Sequence, residues 1–232
     1  LKNLAREFEV TQKLDVDRQN IQELTDEELR EYVAVDCIAL YEVLHKARDL
    51  FGVEDFKLTI ASQSFTEWRT LEEEKLYRVD ACYYDFIKEA YYGGRVEVFK
   101  RYGTDLRYYD VNSMYPYVME RFEYPCGRHM KTRSFWEDKL GVYRVRVTSP
   151  EWMEIPFLPM RTAEGKLLFP LGTWEGTYTT VELQKARELG YTFEVLEGLV
   201  FSDRRSPFKQ YVHKWHGIKT RAAEQGNKAL KY

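Results

Sequence analysis

No C-x-x-C pair occurs in the 232 residues, and the three cysteines, Cys37, Cys82 and Cys126, stand far apart. An odd count at that spacing argues against a disulfide framework and for reduced thiols inside a cell. Histidine is scarce too: of the four, His213 and His216 lie three apart near a helical stretch, a pattern that reads as a solvated helix face and not as a metal set. No apolar run is long enough to span a bilayer and no signal peptide opens the chain, so an intracellular, non-membrane protein is expected. Internal repeats and low-complexity tracts are missing. The net charge is only −3, which does not announce a nucleic-acid binder.

What is present is apolar and aromatic. Hydrophobic residues make up 44%, enough for a substantial core in one large domain or two small ones. Eighteen Tyr and thirteen Phe are many for this length; core packing accounts for most, and stacking on bases is a second use for such rings. Charge is segregated. Residues 15–31 hold seven acids (Asp15, Asp17, Glu23, Asp26, Glu27, Glu28, Glu31) against Arg18 and Arg30. Residues 204–232 hold eight bases (Arg204, Arg205, Lys209, Lys214, Lys219, Arg221, Lys228, Lys231) against Glu224. The basic end could meet phosphates, or be a solvated helix face.

Thr25-Asp26-Glu27-Glu28 fits a capping box with acids in the first helical turn. Leu29, Val33, Cys37, Leu40, Tyr41 and Leu44 then recur at helical spacing, and the helix should end near Leu50, before Gly52. A second helix is expected over about 80–90, and strands near 94–100, 106–111 and 141–148. A further helix should begin at Thr179-Thr180 and close with Gly190 at C′. A strand near 192–201 follows, and Ser206-Pro207 should open a last helix. The likeliest boundary falls between about 52 and 80. Leu1 opens on a helical pattern with no start signal and Tyr232 ends inside one, so a fragment is expected.

The richest stretch is Tyr108-Tyr109-Asp110-Val111-Asn112-Ser113-Met114-Tyr115-Pro116. A run of β-formers ending in Asp sets that carboxylate at a strand end, where active-site chemistry often sits. Taken alone, Asp110 reads as a turn residue or helix cap. Sixteen residues upstream ends Tyr91-Tyr92-Gly93-Gly94, whose Gly pair lets the backbone take positive φ and approach a phosphate closely. Tyr32 and Asp36, four apart on the first expected helix, share a face, where a carboxylate could hold a metal and a phenol orient water. Lys13-Leu14-Asp15-Val16 offers a lysine able to stabilise developing phosphate charge.

These segments together resemble the family B DNA polymerases of the protein-primed viral and plasmid branch. Asp110 to Pro116 resembles motif A (D-x-x-S-L-Y-P), with Met114 in place of Leu. Tyr91 to Gly94 resembles the Y-x-G-G sequence joining exonuclease and polymerase parts. Tyr32 to Asp36 resembles the third exonuclease motif (Y-x-x-x-D), and Lys13 to Val16 the K-x-x-hydrophobic motif before it. Ile155 to Pro159, Gly165 to Pro170 and Gly190-Tyr191 resemble the segment that this branch inserts after motif A.

The resemblance implies an α+β fold: the end of a ribonuclease H-like exonuclease domain, then part of a polymerase palm with an insertion. Residues 1–56 would close the exonuclease domain and 57–90 connect. Residues 91–140 would carry the palm portion, 141–205 the insertion, and 206–232 the start of the fingers. By the same resemblance, Asp110 and the carbonyl of Val111 ligate metal, as does Asp36. Lys13, Tyr32 and Asp36 serve excision. Tyr115 lies under the incoming sugar, filling the space of a 2′-hydroxyl. Lys219 meets the triphosphate, and Tyr91, Gly93, Gly94 and Ser113 meet DNA. The implied cofactor is a pair of Mg²⁺ ions, with Mn²⁺ as an alternative, since phosphoryl transfer to a DNA end uses two cations about 3.5–4 Å apart. The implied partners are primer-template DNA, deoxynucleoside triphosphates and a terminal priming protein.

No Y-x-D-T-D sequence and no K-x-x-x-N-S-x-Y-G sequence occurs, and no D-x-E stands upstream of Lys13, where a first exonuclease motif would lie. Each active site is represented by part of its residues, so the chain alone is expected to be inactive. The reading is a middle fragment of a DNA-directed DNA polymerase with 3′–5′ proofreading in the intact enzyme. The alternative is a non-catalytic nucleic-acid-binding module on a palm scaffold.

Overall fold

The computed structural model describes residues 2–16, 18–52, 55–72, 79–224 and 226. Its principal elements are, in chain order, α1 (Lys2–Glu7), α2 (Asp26–Phe51), α3 (Ile60–Leu71), α4 (Tyr84–Glu89), α5 (Met114–Arg121), β1 (Tyr124–Thr132), β2 (Gly141–Thr148), β3 (Met160–Arg161), β4 (Leu167–Leu168), β5 (Thr173–Thr179), α6 (Thr180–Glu188), β6 (Thr192–Arg205) and α7 (Lys209–Glu224). The class is α+β, as expected. The chain divides into two units, Leu1–Glu72 with Gln210–Tyr232, and Glu73–Lys209.

The first unit is helical. Thr25 caps α2 reciprocally: its hydroxyl accepts from the Glu28 N–H at 3.3 Å, and the Glu28 carboxylate accepts from the Thr25 N–H at 2.9 Å. The bond from the Thr25 N–H, with a second from the Thr25 hydroxyl at 2.8 Å, holds the Glu28 carboxyl below its usual range. At the other end Gly52 takes φ 62°, and its N–H donates to the Arg48 carbonyl. The buried face of α2 is Ala39, Val43 and Ala47, one turn apart each, with Ala5 of α1 buried alongside. The apolar series read from the sequence is not the covered one: Leu29, Val33, Leu40, Tyr41 and Leu44 are exposed. Small residues let α1 approach closely, and that sets which stripe is covered. On α7, Trp215 packs near Phe51 at 6.1 Å between ring centroids, and Lys214 pairs with Glu67 of α3.

The second unit is built on a four-stranded antiparallel sheet in the order β1-β6-β2-β5. Strand β2 alternates cleanly. Tyr143, Val145 and Val147 point into the core, while Arg144, Arg146 and Thr148 face outward. With Leu158, Trp174, Tyr178, Leu183, Ala186 and Tyr191 they form one cluster beneath α6. Gly198 lies opposite Tyr143, and a Cβ there would sit 2.6 Å from the ring, so only glycine admits that tyrosine.

Helix α6 begins as read, with Thr179 and Glu182 forming a capping box, and Gly190 follows Leu189 at φ 89°. Four expectations need correction. The strands expected at 94–100 and 106–111 do not form: the segment is irregular and joins no ladder among the described residues, with Val96, Leu106 and Tyr108 each more than four-fifths exposed. A strand exists only through a ladder partner, and propensity alone does not supply one. Asp110 is therefore not at a strand end but in an irregular stretch before α5. The helix expected over 80–90 is a 3₁₀ turn, Ala81–Tyr83, leading into the short α4. Finally, α7 starts at Lys209, leaving Pro207 in a turn ahead of it. Asp17, Lys228 and Lys231, counted above in the charge runs, lie outside the described residues, as do the side chain of Arg18 and the chain ends Leu1 and Tyr232.

Candidate active-site residues

In the first unit three of the singled-out side chains meet. Tyr32 and Asp36 are one turn apart on α2, and Lys13 comes from the segment between α1 and α2. The Lys13 ammonium lies 2.7 Å from Asp36 Oδ2 and 5.7 Å from the Tyr32 ring centroid. Both charged side chains are largely covered, at 10% and 26% exposure, so this pair is better shielded than a surface salt bridge. Asp36 Oδ1 is buried and has no hydrogen-bond partner among the described residues. A buried carboxylate oxygen left without a partner costs free energy, and it suits a hard cation or a water. A cleft of about 320 Å³ beside it is lined by Lys13 and Tyr32 together with Lys2, Leu4 and Asp15.

In the second unit the Tyr-Gly-Gly and Asp-Val-Asn-Ser segments approach each other. A Cβ on Gly94 would lie 3.9 Å from the Tyr115 hydroxyl, and Gly93 takes φ 80°, a conformation that favours glycine. Tyr115 is in the first turn of α5, with its ring largely exposed, and Pro116 follows where a missing N–H is tolerated. Ser113, just before that helix, adopts φ 54°, a left-handed conformation unusual outside glycine, and its side chain makes no capping bond. Asp110, Val111 and Tyr91 are exposed. Lys219 is exposed on α7, in the first unit.

Side chains with no sequence signature hold the Tyr91-Gly94 turn. Tyr92 stacks on Tyr178 with ring centroids 5.6 Å apart, and its hydroxyl accepts from the Thr177 N–H at 3.4 Å. Burial pushes the Tyr92 phenol above its ordinary value, outweighing the bond from Thr177. Arg161 of β3 donates to the Tyr91 carbonyl at 3.2 Å across 70 positions of sequence. Just upstream, Glu89 accepts from Arg144 at 2.8 Å and from the Thr177 hydroxyl at 2.9 Å. Burial raises the Glu89 carboxyl, but those two hydrogen bonds and the Arg144 charge prevail and hold it below the usual range. The x of Y-x-G-G marks Tyr92 by position; nothing in the sequence marks Arg161.

Among the described residues no group of three or more His, Cys, Asp or Glu side chains could hold a metal. Asp36 and Asp110 are donors of the right chemistry, each short of the further carboxylates that a two-cation site requires. No helix among the described residues is long and apolar enough to cross a membrane.

The chain is 35% identical over 219 residues to a "Probable DNA polymerase" of Neurospora intermedia, a match covering 85% of this chain and 22% of that protein. It is 31% identical over 121 residues to the "DNA-directed DNA polymerase" of Enterobacteria phage PRD1, covering 49% and 21%. It thus spans about a fifth of the length of these relatives. Among solved structures, phi29 DNA polymerase complexed with primer-template DNA and incoming nucleotides superimposes with a TM-score of 0.71 at 20% identity, over 99% of this chain and 45% of that one. That likeness establishes the fold. The family model described as DNA polymerase type B, organellar and viral, matches residues 2–232. A match across that length, on a chain that carries the Tyr-Gly-Gly and Asp-Val-Asn-Ser segments side by side, means that the chain belongs to the type B DNA polymerases of organelles and viruses.

Proposed function

We propose that the protein containing this chain is a DNA-directed DNA polymerase of the protein-primed branch, adding deoxynucleotides to a 3′ end and excising mismatched ends. The observation that carries this reading is the approach of Gly94 to Tyr115, which joins two polymerase-like segments into one surface. Asp110 and the Val111 carbonyl are metal ligands for nucleotide addition, and Tyr115 packs against the incoming sugar and disfavours ribose. Tyr91, Gly93, Gly94 and Ser113 lie along the DNA, and Lys219 meets the triphosphate. Lys13, Tyr32 and Asp36 serve the excision site, with Asp36 Oδ1 as the metal-directed oxygen. Type B polymerases are metal-dependent; Mg²⁺, when bound, would activate the nucleophile and stabilise the leaving oxygens. The carboxylates that complete either site come from outside the residues described.

Residues 1–56 are the end of the exonuclease domain, 57–90 the connection, 91–140 the palm portion, 141–205 the insertion and 206–232 the start of the fingers. The exposed apolar stretch from Val96 to Tyr117 supports the palm assignment, because such a run needs a covering neighbour. The partners are primer-template DNA, deoxynucleoside triphosphates and a terminal priming protein, inside a cell. The phi29 enzyme has been captured with primer-template DNA and nucleotides, which supports the first two. The non-catalytic alternative is not favoured, since the relatives that match most of the chain are polymerases by name.

The test is Asp110→Asn in the full-length enzyme. Extension should be abolished while primer-template affinity stays within about twofold, because an exposed side chain is not holding the fold. Extension at the wild-type rate would overturn the assignment.

A further inference from the structure

We infer that Arg161 is a positioning residue for primer-template DNA, acting through the backbone of the Tyr91-Gly94 turn. This rests on the polymerase reading above, in which that turn meets DNA. The turn belongs to no helix or ladder, so side chains must supply part of its shape. Two residues supply it. Tyr92 inserts its ring against Tyr178, at an interplanar angle of 24°, and so anchors the turn to the sheet. Arg161 bridges the Tyr91 carbonyl at 3.2 Å and the Gly165 carbonyl at 3.4 Å, with its guanidinium 5.7 Å from the Tyr92 ring centroid. The Tyr91 N–H, in turn, donates to the Lys88 carbonyl at 3.0 Å. Both polar groups of Tyr91 are thus held, while its ring remains 76% exposed.

The charge on Arg161 is left over. Its outward-facing neighbours are each neutralised, Arg144 by Glu89 and Arg146 by Glu175, both at 2.8 Å. Among the described residues Arg161 pairs with no carboxylate, and it lines a cleft of about 400 Å³ with Tyr92, Glu89 and Arg144. A cation with no carboxylate partner among the described residues, beside a DNA-facing turn, could meet a phosphate directly. The geometry points instead to an indirect role, because two arms of the guanidinium are committed to carbonyls. A fork that spans two acceptors is something lysine cannot copy. Loss of the fork frees the Tyr91–Tyr92 peptide, and DNA binding must then order it.

Arg161→Lys and Arg161→Gln in the full-length polymerase separate these roles. Both should weaken primer-template affinity by roughly tenfold, the equivalent of one charge-assisted hydrogen bond, with an unchanged dependence of log K on log salt. The kcat at saturating DNA should stay within about twofold, and the melting temperature within about 3 °C, as expected where no folding energy is lost. Wild-type affinity in either variant would overturn the inference. A salt slope reduced by about one in the Gln variant would overturn it in favour of a direct phosphate contact. A lowered melting temperature with parallel loss of kcat would make the residue merely structural. Failure of the unsubstituted enzyme to bind primer-template would refute the DNA reading itself, and this inference with it.

Discussion

Tyr178→Phe removes one oxygen from the centre of the second unit. The Tyr178 hydroxyl donates to the Pro159 carbonyl at 2.7 Å and accepts from the Trp174 indole N–H at 2.8 Å, and the residue is fully buried. Deleting it strands two buried polar groups at about 1–3 kcal/mol each, offset by the hydroxyl's own desolvation, for a net loss of about 2–4 kcal/mol. With a urea m-value of about 2 kcal/mol/M, the midpoint followed by Trp fluorescence should fall by about 1–2 M. The pH profile gives a second reading. Burial raises the Tyr178 phenol far above its ordinary 10.0, with the indole bond opposing, and burial likewise raises Tyr143. The folded state keeps these protons after the unfolded chain has released them. Stability is therefore full below about pH 10 and falls as pH rises, by about 1.4 kcal/mol per pH unit for each such tyrosine. The Phe variant should lose one tyrosine's share of that slope. A midpoint shift under about 0.5 M, or an unchanged alkaline slope, would refute the reasoning.

Lys13→Ala in the full-length enzyme should lower excision of mismatched primer ends by about 10²-fold while sparing extension, as loss of one charge-stabilising group does; equal excision by both enzymes would make the Lys13–Asp36 pair structural. Gly198→Ala should destabilise the sheet by about 1–3 kcal/mol through overpacking against the buried Tyr143 ring, checked by chemical denaturation. Thr179→Ala should cost about 1 kcal/mol by removing the cap of α6, checked the same way, with Thr179→Ser restoring most of it.

Local rules make much of this chain legible in its sequence. The cap at Thr25, the left-handed stop at Gly52, the Thr179 start and the Gly190 stop are interactions within a few residues, and each stands where the sequence puts it. Strands β2 and β6 are legible because β-formers at their core positions, alternating with charge in β2, survive any partner. Helix α3 is not legible in the sequence because its capping box uses Ser62 where the pattern calls for Glu or Gln. Strand β1 was missed for another reason. It contains Pro125 and Gly127, and it holds together only by pairing with β6 around an irregularity between Cys126 and His129. The same dependence on partners explains why 94–100 and 106–111, rich in β-formers, remain unpaired.

The sequence by itself determined the motifs, because Asp110, Tyr115 and the Gly93-Gly94 pair are identities at fixed spacing, and with them the family. It also determined the helix ends, where the bonds are local. Only the tertiary structure decided which stripe of α2 is covered, that Asp36 Oδ1 beside Lys13 has no partner among the described residues, and that Arg161 reaches Tyr91. Those outcomes depend on how chain segments tens of residues apart come to lie together, and no periodicity along the chain encodes that distance.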